Sequence, residues 1–128
     1  MFTLSDISTA HARVKSGADF PQYARDLIAM WVTAYDTYVS DGHAVYLGNA
    51  EPLISPAKYD TLIIAKYCNK ERFMERLKLH QSGGTDYMTF CQDCAENGIE
   101  KWTLDMSAHT CTYYDNSGTA VHTEHFGR

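Results

Sequence analysis

Apolar positions along the chain change their period several times, and each change marks an element. Leu4, Ile7 and Val14 fall roughly on one side of a helix expected from Ser5 to Ser16, which Gly17 stops. Asp19 is the expected cap of a second helix, FPQYARDLIAM. Pro21 sits in its first turn, where a missing N–H costs nothing, and Tyr23, Leu27 and Met30 form its apolar stripe. VTAYDTYVS is rich in β-branched and aromatic residues and reads as a strand. Asp41-Gly42 is a hairpin turn, and HAVYLG returns as the second strand. A loop with Pro52 and Pro56 leads into YDTLIIA, the expected third strand. Asn69 caps KERFMERLKLHQ, which turns Phe73, Met74 and Leu77 inward and ends at Gly83-Gly84. Thr85 or Asp86 caps YMTFCQDCAEN, and Gly98 ends it. IEKWTLDM, HTCTYYD and TAVHTEHF then read as three strands, the last two joined by Asn116-Ser117-Gly118.

Two helices followed by three strands thus occur twice. Sliding the chain on itself by 67 residues aligns Gly17, Asp19 and Asp26 with Gly84, Asp86 and Asp93. Phe20 and Tyr23 fall on Tyr87 and Phe90. Val32, Tyr35 and Val39 fall on Ile99, Trp102 and Met106, and Ser40, Tyr46 and Asn49 fall on Ser107, Tyr113 and Asn116. The expectation is a single α+β domain over residues 1–128, with pseudo-repeats 1–66 and 67–128 of about ααβββ. Each half alone would expose an apolar sheet face. Joined, they give one mostly antiparallel sheet of up to six strands with helices packed on it. Tyr35, Thr37 and Val39, with Trp102, Leu104 and Met106, mark the core face by period-two alternation.

Composition narrows the class of protein. A chain of 128 residues with 45% hydrophobic and 12% aromatic content is an ordinary globular domain, with nine tyrosines as its one excess. The net charge of −5 and scattered basic residues argue against a nucleic-acid partner. The first residues, MFTLSDISTAHARVK, lack the basic start and apolar run of a signal peptide. No apolar stretch approaches the ~20 residues that span a bilayer. A cytoplasmic location, no membrane partner and reduced thiols are expected.

Cys91 and Cys94 are spaced C-x-x-C. A zinc site built on them needs ligands from Cys111, His80, His109 or Cys68, and no second C-x-x-C or H-x-x-x-H supplies them. A redox pair belongs at a helix N-terminus after a strand, whereas Cys94 falls well inside a helix. By the 67-residue offset, Cys91, Cys94 and Cys111 replace Ala24, Leu27 and Ala44, so core packing is the favoured reading and no metal or cofactor is expected. His80 near a helix end complements the dipole as an imidazolium. His122 and His125 fall on opposite faces of a strand and read as surface residues, and His43 could share a rim with Asp41. Asp26 and Asp93 occupy matching helical positions; acid–base work is conceivable for such a pair, but bonding to neighbours or solvent is the commoner role. No catalytic triad or phosphate loop can be assembled.

The strings KSGADFPQY, YVSDGH, LKLHQSGGTDY, TFCQDCA, EKW and CTYYD run the length of the chain. In them the protein resembles the small prophage-encoded family that includes the enterobacterial YdfO and YbcV proteins, sometimes labelled phage envelope protein-like. The resemblance implies an α+β fold and prophage origin, and no established chemistry. Trp31 departs from it, standing where the second half has Gly98; that puts a left-handed helix cap there in doubt and places a large ring at the surface. The residues favour a non-catalytic binding, interaction or regulatory module over an enzyme, monomeric or weakly dimeric, with a protein or small-molecule partner met by tyrosines around the hairpin and interhelical groove. The alternative is a metal- or thiol-dependent protein using Cys91 and Cys94.

Overall fold

A computed structural model describes residues 1–14 and 19–126. Helix α1 (Leu4–His11) begins with a capping box, in which Thr3 Oγ1 accepts from the Asp6 N–H and the Asp6 carboxylate accepts from the Thr3 N–H. It ends earlier than the expected Ser16, because Arg13 and Val14 donate to Ala10 and His11 and tighten the chain into turns. The expected stop at Gly17 lies outside the described residues. Helix α2 (Phe20–Ala29) has Asp19 at its N-cap, but with helical backbone and without a side-chain capping bond, so Pro21 is its remaining start signal. Helices α3 (Lys70–Gln81) and α4 (Tyr87–Glu96) are capped by Asn69 and Asp86, which accept from Arg72 and Thr89 N–H groups.

Strands β1 (Ala34–Tyr38), β2 (Ala44–Leu47), β3 (Leu53–Ile54), β4 (Ile99–Asp105), β5 (Thr110–Asp115) and β6 (Ala120–His125) form one antiparallel sheet in the order β3-β2-β1-β4-β5-β6. The expected α+β architecture is therefore present, with four helices packed against six strands among the described residues. The third strand is not YDTLIIA. Its N–H groups are drawn elsewhere: Tyr59 and Leu62 donate to the Asp41 and Ser40 carbonyls and Ala65 to Ala95, so the segment crosses as an irregular strap. Only Leu53–Ile54, just after Pro52, pairs with β2.

The halves meet at β1 and β4. Tyr35 pairs with Leu104, Asp36 with Thr103 and Thr37 with Trp102. The ladder is extended at each end by Val39 N–H to the Glu100 carbonyl and Met106 N–H to the Thr33 carbonyl. Thr103 Oγ1 donates to the Asp36 carboxylate on the face away from the core. Within each half the register coincides: Tyr35 opposite Tyr46 becomes, 67 residues on, Trp102 opposite Tyr113, and Thr37 opposite Ala44 becomes Leu104 opposite Cys111. The match ends at the outer strands, where Val45 faces Ile54 but Thr112 faces Thr123. Buried residues from both halves, including Leu27, Val39, Phe73, Leu77, Ile99 and Leu104, form one apolar cluster.

Both sheet-entering turns are left-handed. Gly98 has φ 81°, and a Cβ there would lie 2.7 Å from the Tyr67 carbonyl oxygen of the strap. Trp31 takes the same place after α2 with φ 71°, so the left-handed conformation doubted for a tryptophan is present, and its ring is 78% exposed. Left-handed backbone costs a residue with a Cβ about 1–2 kcal/mol. Trp31→Gly is therefore expected to raise unfolding stability by about 1 kcal/mol in denaturant titration, since little packing is lost, whereas Gly98→Ala lowers it.

A cavity between the halves

Period-two alternation sends Tyr35 and Thr37 of β1 and Trp102 and Leu104 of β4 to the helix-covered face, side by side because of the central register. These four side chains floor a cavity of about 350 Å³. Helical spacing brings Phe20 and Tyr23 of α2 over it from one half, and Tyr87 and Phe90 of α4 from the other. Tyr46 and Tyr113 close its sides. The ring contacts are mostly edge-to-face: Tyr23 with Tyr35 at 6.3 Å between centroids, Tyr87 with Trp102 at 6.3 Å. His11, at the end of α1, spans the gap between halves, its ring edge-on to both Tyr23 at 5.3 Å and Tyr87 at 5.1 Å. At the opposite side Phe126 meets Phe20 at 5.5 Å.

Polar groups line more than one part of the cavity. Tyr23 is 5% exposed, and among the described residues its hydroxyl has no hydrogen-bond partner of acceptable geometry. The Tyr46 hydroxyl is near enough to shift it as an acceptor would, and Tyr35 couples to it electrostatically. Burial pushes the phenols of Tyr23, Tyr35, Tyr46 and Tyr87 above their usual range and keeps them protonated. Burial, with the Lys58 charge adding to it, lowers His11 to about 4, so at neutral pH its imidazole is uncharged. Lys58 reaches the same edge and loses enough solvent for its own pKa to fall. Phe90, Trp102, Leu77 and Leu104 form an apolar wall, with His80, Gln81 and His125 also lining the cavity, and the one acid among its described lining residues, Glu124, is engaged by Gln81 and by His122 at 3.2 Å. Thr37 replaces an apolar mate, Leu104, and Tyr23 a mate without a hydroxyl, Phe90. Tyr87 answers Phe20 in the opposite sense, so the hydroxyls stand at different positions in the two halves although the register within each half is shared.

The residues singled out by sequence fall elsewhere, with exceptions. Cys91 and Cys94 lie buried on α4 and Cys111 on β5, all as free thiols, and Cys68 is half-buried in the strap. Burial raises all four thiols, Cys111 to about 12, which disfavours the thiolate needed for nucleophilic attack or metal ligation. Among the described residues no group of three or more His, Cys, Asp or Glu side chains could hold a metal ion. His80 is no surface imidazolium. It is buried, stacks on Phe90 at 4.2 Å, bonds Thr85 through Nδ1, and is shifted by desolvation toward the neutral form, so packing replaces the expected dipole interaction. His122 is half-buried beside Tyr113 rather than on the surface. Asp93 pairs with Arg76 at 2.9 Å and Asp26 with Arg13 at 3.6 Å, neither in the cavity. His43 bonds Asp41 at 2.6 Å and stacks on Tyr38, forming the rim anticipated there. The tyrosines expected at the groove surface are largely internal: Tyr23, Tyr35, Tyr46 and Tyr113 are buried.

Fold and cavity together define a small α+β protein with a partly open, aromatic-lined chamber between two halves of matching strand register. The chain belongs to the family described as a protein of unknown function, DUF1398, whose profile matches residues 8–125. No curated protein matches it. Among the described residues no helix is long and apolar enough to cross a membrane.

An orphaned buried hydroxyl costs about 1–3 kcal/mol. Tyr23→Phe is accordingly expected to raise the stability of the unliganded protein by about 1 kcal/mol in denaturant unfolding. A loss of stability of that size would show that the hydroxyl has a partner after all.

Proposed function

We propose that the protein is a non-catalytic binding module that encloses a small, largely apolar molecule in the chamber between its halves. The observation that carries this reading is the Tyr23 hydroxyl, buried without a partner at the edge of an aromatic space. Core tyrosines ordinarily satisfy their hydroxyls, so a polar group held free in an apolar cavity favours a ligand over mere loose packing. A volume near 350 Å³ lies at the small end of the ~300–1,000 Å³ of ligand sites. The raised thiols of Cys91, Cys94 and Cys111 weigh against the metal- or thiol-dependent alternative, as does the engagement of Asp26 and Asp93 by arginines against acid–base catalysis.

The shared register of the halves supports reading the chain as a duplication of an ααβββ unit, with one domain made by their union. In the same reading, the YdfO and YbcV likeness supports prophage origin and a regulatory or accessory role in the cytoplasm.

The test is titration with 1-aminoanthracene, a neutral aromatic whose emission rises in apolar surroundings. Saturable one-to-one enhancement is expected, together with its loss in Thr37→Phe, which fills the floor, at an unchanged unfolding midpoint. Absence of saturable emission in the parent protein contradicts the reading.

A further inference from the structure

The cavity's chemistry narrows its ligand, on the reading that it binds one. Lys58 lines the cavity close enough to His11 for their charges to interact, and among the described residues no carboxylate pairs with it. The cavity's own acid, Glu124, is already held by Gln81 and His122, so it calls for no cation. The protonated Tyr23 phenol is a donor that makes no hydrogen bond of acceptable geometry among the described residues, with only the Tyr46 hydroxyl beside it. A cation and such a donor in a cavity lined by rings are complementary to a molecule with an acceptor group and a flat π-system.

We propose that the chamber binds a planar aromatic monocarboxylate, its carboxylate accepting from the Tyr23 hydroxyl and meeting the Lys58 ammonium at the cavity edge, its ring lying against the contacting Phe90 and Trp102 side chains. The neutral His11 imidazole, edge-on to Tyr23 and Tyr87, closes that end over the carboxylate and can donate to it without a change of charge. A cationic ligand has no free acid to meet. A neutral ring gains the same apolar contacts but leaves Lys58 without a counter-charge.

Three probes sharing one ring separate these cases: 2-naphthoate, 2-naphthylmethanol and 2-naphthylmethylammonium. Binding is read by calorimetry and by Trp102 emission in a Trp31→Phe background, which removes the exposed tryptophan. A charge-assisted hydrogen bond predicts that 2-naphthoate binds about tenfold more tightly than the alcohol, and more tightly still than the ammonium. Lys58→Met is expected to bring the naphthoate-to-alcohol ratio close to one, Lys58→Arg to retain it, and Tyr23→Phe to weaken naphthoate about tenfold. Equal or tighter binding of the alcohol or the ammonium overturns the ligand class while leaving the chamber a binding site. A naphthoate preference indifferent to both Lys58→Met and Tyr23→Phe overturns the assignment of these residues. If none of the three probes binds, the underlying binding reading fails with it.

Discussion

The antiparallel pairing of β1 with β4 is the constraint on which the rest of the molecule depends. It is the seam through which two three-stranded sheets become one, and it is centred on Asp36 and Thr103, joined by a side-chain hydrogen bond on the outer face. Because β1 and β4 have the same alternation, the seam sets Tyr35 and Thr37 beside Leu104 and Trp102 on the inner face. A slip of one residue would send these side chains to solvent and bring Asp36 and Thr103 inward. The floor of the chamber is thus a consequence of register, not of loop conformation.

The space above that floor follows from what stands on it. Each half contributes a helix with aromatic residues at spacing three, Phe20 and Tyr23 or Tyr87 and Phe90, aimed at the seam from opposite sides. Broad rings meeting edge-to-face do not interdigitate as branched aliphatic side chains do, and a gap is left where the two halves converge. Leu27, Phe73 and Ile99 are fully buried away from the cavity, so the core there is closed. Hydroxyls are then set differently in the two halves: Tyr23 and Thr37 stand where the other half has Phe90 and Leu104, and Tyr87 where the first has Phe20. Similar backbones thus carry dissimilar side chains around the cavity.

Much of the architecture was legible because it rests on local rules. The caps at Asn69 and Asp86, the helix α3 boundaries and the strand at Trp102 follow from residue type and period. YDTLIIA misleads because its composition suits a strand, while its N–H groups are taken by carbonyls of the β1–β2 turn that is distant in sequence. Trp31 misleads in the other direction, since the turn into β1 imposes a left-handed residue at a position where sequence offers no glycine. The chamber itself was only half visible. Its wall residues stand among the 67-residue matches as paired aromatics, but periodicity shows that side chains point inward and not whether they meet. The orphaned hydroxyl of Tyr23 and the uncharged state of His11 are properties of that unfilled space, and no local pattern encodes them. The C-x-x-C spacing drew attention to the wrong helix turn, for Cys91 and Cys94 face the closed part of the core.

The most direct measurement is a crystal structure of the protein grown with 6-bromo-2-naphthoate, in which the bromine is located by its anomalous scattering. The account predicts a bromine peak inside the chamber, beside Phe90 and Trp102, and carboxylate density at the Tyr23 hydroxyl, on the Lys58 side. A chamber without density, or bromine bound only at an outer site such as the exposed ring of Trp31, would contradict it.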